Sequence, residues 1–252
     1  MYRIALLCVL VLYSCQSREQ FSRLAFEHKD LEKKVCSGED CATVLLHYPF
    51  FTDGTNTAEI LNEHVEQQLV MMLGYGELNT EESLSQSIQR FLDDFLEFSE
   101  EFSFSQSWEV DVNAELTFQN KEAISIRFDA YNYSGGAHPN SFRQYLNFDK
   151  PKAKLIKNED LLKDYESMYR LGEEKFRSYH EVEESSSLEE DGRFFLNDTS
   201  GFFLPVSMGA EGDEFVLYYN PYEIGPYVLG ATPLRFSLKD LDGIVNEVFL
   251  DQ

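Results

Sequence analysis

The sequence predicts an α+β fold, an antiparallel sheet packed with helices. Apolar residues recur at helical spacing over Thr57 to Leu73 and again over Thr80 to Glu101. From Ser105 onward the period changes to two and stays so through several runs of strand length. Helices are thus segregated from strands, which argues against a doubly wound sheet built of alternating βα units.

Taken in order, the chain opens on an export signature. Met1 to Ser14 carries one positive charge, at Arg3, then an apolar run from Ile4 to Leu12, and stops at Cys15. The run is too short to span a bilayer. Leu12-Tyr13-Ser14-Cys15 resembles the bacterial lipobox, in which cleavage before the cysteine leaves it as an acylated amino terminus, although Tyr13 is bulkier than the small residues usual there. That resemblance makes Cys15 the lipidation site of a lipoprotein, carrying acyl chains such as palmitate and facing the periplasm or the exterior. An ordinary cleaved signal beside an incidental cysteine is the competing reading. Residues 15–41 follow as anchor and tether, polar and mixed in charge, with some helix expected between Phe21 and Val35.

With Cys8 removed in the signal and Cys15 used for lipid, Cys36 and Cys41 remain as a pair around Ser37-Gly38-Glu39-Asp40. In an oxidising compartment this reads as a disulfide closing a small loop. The spacing is not that of a zinc knuckle, and the Cys-x-x-Cys geometry of thiol redox chemistry is missing.

Ala42 to Pro49 is β-branched and aromatic and reads as a strand ended by Pro49 and Asp53-Gly54. The stretch Thr57 to Leu73 presents Ile60, Leu61, Val65, Leu69 and Met72 along one stripe. Thr80 to Glu101 does the same with Leu84, Ile88, Phe91, Phe95 and Phe98. Trp108 to Phe118 and Ile124 to Ala130 then alternate around an Asn120-Lys121 turn as an antiparallel hairpin, and Phe142 to Phe148 supplies a third strand. Lys154 to Lys157 adds a short strand, Asn158 caps a helix, and Tyr165 to about Val182 forms another amphipathic one. Arg193 to Leu196, Gly201 to Ser207 and Glu214 to Tyr219 return to strand, and Ser237 to Val245 reads as a last helix.

Charge narrows the partners. The chain has 21 basic against 45 acidic residues, and removal of Arg3 with the signal takes the formal net charge from -24 to -25. Nucleic acid and anionic lipid headgroups are poor partners for such a surface, whereas a basic protein is attracted. Solubility alone also accounts for a strong negative charge.

Two unusual stretches stand about eighty residues apart: Tyr131-Asn132-Tyr133-Ser134-Gly135-Gly136-Ala137-His138-Pro139, and Tyr218 to Tyr227, which contains Tyr222-Glu223-Ile224-Gly225-Pro226-Tyr227. Their order resembles that of paired extracytoplasmic domains of unknown function, DUF4163 and DUF3298, found in lysozyme-sensing anti-sigma factors and as the leading module of some peptidoglycan deacetylases. The resemblance implies two closely associated α+β subdomains, 42–150 and 151–252. It also implies a lipid-anchored envelope module that binds or senses a basic, lysozyme-like protein or peptidoglycan fragments. The catalytic domain of the deacetylases and the cytoplasmic segment of the anti-sigma factors have no counterpart in the sequence, so neither full activity carries over.

Each motif has a plain structural reading beside a functional one. Gly135-Gly136 shapes a turn through positive φ, and the same loop presents Tyr131, Tyr133 and His138 on a rigid platform. Glu223 either pins its turn through backbone donors or serves as a functional buried carboxylate. The acidic run from Glu181 to Asp191, with Glu183, Glu184, Glu189 and Glu190, is a solvated loop or the place to meet a cationic protein. No catalytic, cofactor or metal residue is assigned. His28, His47, His64, His138 and His180 form no metal-binding pair, no nucleophile elbow or phosphate loop appears, and Asp111-x-Asn113-x-Glu115 fails as a calcium loop because Leu116 stands where Gly is needed. A glycan hydrolase working through Glu223 or Asp129, and a scaffold lipoprotein of an envelope assembly, are the alternatives.

Overall fold

The computed structural model describes residues 23–74, 82–102, 106–183, 185–196 and 201–250. The export signal and Cys15 lie outside them, as does Glu184. The first half is a six-stranded sheet with two helices on one face. Its strands are β1 (Phe26–Ser37), β2 (Asp40–Phe51), β3 (Trp108–Gln119), β4 (Ala123–Tyr133), β5 (Asn140–Asp149) and β6 (Lys154–Leu155), hydrogen-bonded in sequence order. The helices are α1 (Asn56–Leu73) and α2 (Leu84–Glu101).

Both helices begin where their sequence supplies a cap. The Thr55 hydroxyl accepts the amide of Ala58 at 3.2 Å, and Ser83 with Gln86 forms a reciprocal capping box. The predicted stripes turn inward: Leu61, Val65, Leu69 and Met72 on α1, and Ile88, Phe91 and Phe95 on α2, are buried against β2, β3 and β4. The indole of Trp108 packs against Phe91, Phe95 and Phe98 at ring separations of 5.8, 5.7 and 5.4 Å.

Two expectations are corrected here. The sheet is mixed, because β2 and β3 run parallel from Ala42↔Trp108 to His47↔Asn113 while the other pairs are antiparallel. The two helices make the long crossover that a parallel pair requires. Residues 26–37, expected as polar tether with some helix, form the edge strand β1. It pairs with β2 along its whole length, as far as Phe26↔Phe51, so Pro49 lies within β2 and does not end it. Leu31 and Val35 of β1 pack on the core, and the half-exposed Phe26 meets the buried Phe51 at 5.9 Å. Its remaining positions are largely charged, which discourages edge-to-edge pairing with other chains. Cys36 and Cys41 face each other across this hairpin and are disulfide-bonded.

The second half is built on a three-stranded antiparallel sheet of β7 (Ser207–Glu211), β8 (Glu214–Tyr219) and β9 (Thr232–Ser237). Short helices α3 (Asn158–Leu161) and α5 (Leu188–Asp191) flank the longer α4 (Tyr165–Tyr179), whose Met168 and Phe176 are fully buried. Asn158 is the first residue of α3, not its cap; its side-chain amide donates to the Val206 carbonyl at 2.8 Å. Three further readings change. Arg193 to Leu196 is not strand, strand begins at Ser207 and not at Gly201, and Ser237 to Val245 holds only a single 3-10 turn at Leu238–Asp240. In these segments Phe194, Phe202, Leu204, Leu241 and Val245 are buried through irregular backbone. β9 was not among the expected strands; it contains Pro233 and lies on the sheet edge, where strands tolerate proline.

The halves meet where β7 lies across the helix-free face of the large sheet. The Thr117 hydroxyl donates to the Ala210 carbonyl at 2.8 Å, and the Asn147 amide to the Met208 carbonyl at 2.9 Å. Gly209 of β7 sits so close that a Cβ there would lie 2.6 Å from Cδ1 of Tyr145. Each half has its own core, and this seam joins them.

Candidate functional site

Alternation places one set of side chains from β3, β4 and β5 on the helix-free face of the large sheet: Asp111, Asn113 and Glu115, then Arg127, Asp129 and Tyr131, then Ser141, Arg143 and Tyr145. β7 covers part of this face. The uncovered part forms, with Tyr218, Pro221 and Ala231 of the second half, a groove of about 410 Å³. Tyr131, Tyr218 and Pro221 give it flat apolar walls, while Asp111, Asn113, Asp129 and Ser141 supply polar groups. Its size falls in the roughly 300–1,000 Å³ range of small-molecule sites.

A network of charges lies beneath the groove. Arg127 bonds Glu115 at 2.6 Å, Asp129 at 2.8 Å and Glu211 at 3.2 Å. Arg143 bonds Asp129 at 2.6 Å, and its guanidinium stands 4.4 Å over the Tyr218 ring. Glu211, from the second half, also accepts the Tyr145 hydroxyl at 2.5 Å and pairs with Arg235 at 2.9 Å. Burial pushes the Glu211 carboxyl up, but the hydrogen bonds from Tyr145, Arg235 and Arg127 outweigh it and hold the pKa below the ordinary value. Burial first, and then the bond to Glu211, raises that of Tyr145. Glu211 therefore stays ionised at neutral pH, with Tyr145 as a neutral donor.

The two unusual sequence stretches come together beside this groove. His138 stacks on Tyr227 with centroids 4.3 Å apart and planes 14° apart, and its Nε2 is 2.9 Å from the Tyr222 hydroxyl. Gly135 and Gly136 both have φ of +107°, a conformation that side-chain-bearing residues rarely adopt, so the turn needs both glycines. The Tyr133 hydroxyl donates to the Gly136 carbonyl at 3.1 Å and accepts from Gln106, which fastens the loop to β4. Tyr222 sits at φ +67° without being glycine. Its strained turn is held by Glu223, whose carboxylate accepts the Asn220 amide at 2.8 Å. Asn220 in turn brackets the backbone of Arg143, taking its N–H at 2.6 Å and donating to its carbonyl at 3.1 Å. Burial raises the pKa of Glu223 and backbone hydrogen bonds oppose that rise. Glu223 pins the turn through backbone donors, the first of its two readings.

Of the residues singled out in the sequence, Tyr131 lines the groove, and Tyr133, Gly135, Gly136 and His138 shape its neighbouring loop. The acidic run stands elsewhere, after α4. Glu190 closes a capping box with Ser187 at the start of α5, and Asp191 pairs with Arg193 at 2.5 Å, so these two acids serve local structure; Glu183 and Glu189 remain exposed. The alternation did not single out Asp111, Asn113, Ser141, Phe142 or Tyr218 as lining. The usable signal was the polar outward series on β3, which first looked like a calcium loop.

Comparison with known proteins places these halves. Residues 35–141 match the family model described as deacetylase PdaC, and residues 153–239 match the protein family of unknown function DUF3298. The chain is 23% identical over 146 residues to the peptidoglycan-N-acetylmuramic acid deacetylase PdaC of Bacillus subtilis, which covers 57% of this chain and 31% of that relative, so the chain spans about a third of its length. A crystal structure of a DUF3298 family protein from Pseudomonas aeruginosa superposes with a TM-score of 0.68 at 23% identity, covering 90% of this chain and 97% of that one. A second, from Bacteroides fragilis, gives 0.66 at 17% identity over 88% and 94%. The order of the two sequence motifs thus agrees with the order of the two matches: residues 35–141 are similar to the PdaC family model, and residues 153–239 that follow are similar to the DUF3298 family.

Proposed function

We propose that the chain is an extracytoplasmic module of the bacterial cell envelope that binds cell-wall glycan in the groove between its two halves. The observation that carries this reading is the lining itself, in which the flat rings of Tyr131 and Tyr218 stand beside Asp111, Asn113 and Ser141. Sugar rings present apolar faces that pack on aromatic planes and hydroxyl edges that carboxylates, amides and hydroxyls satisfy. The Cys36–Cys41 disulfide fits an oxidising compartment, and the matched relative is named for action on peptidoglycan.

Binding is favoured over hydrolysis because both acids named for a hydrolytic mechanism are engaged. Asp129 is clamped between Arg127 and Arg143, and Glu223 is turned into backbone N–H groups. Calorimetric titration of the full chain with soluble glycan fragments of peptidoglycan tests the reading. Tyr131→Ala is expected to weaken binding roughly fivefold or more, the effect of losing an aromatic anchor. Undiminished binding by that variant, or release of new reducing ends by the wild type, would sink it.

A basic, lysozyme-like protein is the second reading, favoured by the formal charge of -24 and by the exposed Glu183 and Glu189. Neutralising these two to Gln should then slow association and flatten its salt dependence, because exposed charges steer encounter more than they hold the complex.

Membrane attachment through Cys15 belongs to the same proposal. Among the described residues no helix is long and apolar enough to cross a membrane. Cys15→Ala is expected to release the protein into the soluble extracytoplasmic fraction with loss of acyl mass. Unchanged membrane retention and mass would rule the anchor out.

A further inference from the structure

Resting on the glycan-binding reading, we propose that the groove selects amino sugars whose amine is free and protonated over their N-acetylated counterparts. Its aromatic walls suit either sugar; its charge does not. In the network below it, three guanidinium groups, Arg127, Arg143 and Arg235, face four carboxylates, Glu115, Asp129, Glu211 and Glu214. All three cations are thereby engaged with carboxylates, and one negative charge is left over.

Asp111 adds a second. It lines the groove directly, is exposed, and makes no ion pair or hydrogen bond with any described residue. Directly across the β3–β4 ladder from it stands Tyr131, likewise exposed and with a hydroxyl that bonds no described residue. A carboxylate beside an open aromatic face is the arrangement that accepts an ammonium group, through an ion pair and through the ring quadrupole together. An N-acetyl group offers no charge and a single N–H donor in place of three.

The test compares two probes of equal length, a β-1,4-linked glucosamine tetramer and the corresponding N-acetylglucosamine tetramer. They are titrated into the full chain at about pH 6, below the roughly 7.7–8.0 range of an α-amino group and above that of Asp. The glucosamine tetramer is expected to bind roughly three- to fivefold more tightly, as one exposed ion pair allows. Asp111→Asn should erase that difference. Glu174→Gln, which removes an exposed charge from α4 instead, should leave it intact. Tyr131→Ala should weaken both probes.

Equal or tighter binding of the N-acetylated tetramer would overturn the selection while leaving the glycan-binding groove standing. An equal loss in Glu174→Gln and Asp111→Asn would also overturn it, since attraction would then come from bulk charge. Binding of neither tetramer would remove this inference together with the reading on which it rests.

Discussion

Glu211→Ala is expected to lower the unfolding free energy by about 3 kcal/mol, read as a fall in the urea midpoint at unchanged slope. The side chain is only 12% exposed, and it is the single carboxylate to which Arg127, Arg143, Arg235 and Tyr145 all converge. Truncation leaves Arg127 and Arg143, themselves 18% and 17% exposed, with one fewer counter-charge at the seam. Glu211→Gln should cost less, because it keeps the shape and one acceptor. Its folded pKa is depressed, so the stabilisation from Glu211 is full above its unfolded value of about 4.3 and is lost as pH falls through the folded one. The acid limb of the stability profile should therefore be shallower in Glu211→Gln than in the wild type. An unchanged midpoint in Glu211→Ala would show that the network is dispensable.

Gly209→Ala is expected to cost about 2 kcal/mol, within the range for overpacking a close contact. The new methyl would lie 2.6 Å from Cδ1 and 2.7 Å from Cγ of Tyr145, and 2.9 Å from Oδ1 of Asn147. The ring has little room to yield, because its hydroxyl is bonded to Glu211 and its neighbour Asn147 is bonded to Ser125 and to Met208. In a Tyr145→Ala background the same substitution should cost much less, a coupling that a double-mutant cycle measures directly. Additive costs in that cycle would mean that β7 shifts away instead.

Local order was legible in the sequence to the extent that it is locally determined. The stripes of α1 and α2, the alternation of β3 to β5, the Asn120 turn and the Cys36–Cys41 pair all follow from spacings within a few residues. The strand β1 did not, because an edge strand packed through little more than Leu31 and Val35 carries the composition of a tether. The parallel pairing of β2 with β3 joins segments separated by two helices, and no short-range pattern encodes that choice. In the second half, Phe194, Phe202 and Leu204 fill the core from irregular backbone, where apolar residues exist without a period.

The site divided in the same way. Both motifs were visible as motifs, but the stacking of His138 on Tyr227 bridges 89 positions (227 - 138) and depends on the whole intervening fold. Spacing also leaves open whether an acid points into solvent, into a cap or into an arginine cluster. Asp111, Glu190 and Asp129 meet these three fates in turn.

The groove takes its lining from both halves, Asp111 and Tyr131 on one side and Tyr218 and Pro221 on the other. Any occupant that touches both sides is a reversible staple, since it is lost once the halves separate. Occupancy and unfolding are then linked by mass action. A ligand at a hundred times its dissociation constant would add about 2.7 kcal/mol to the stability of the joined state. The melting temperature of this chain thereby becomes a reporter of what it binds, and a panel of envelope components can be ranked by heating alone.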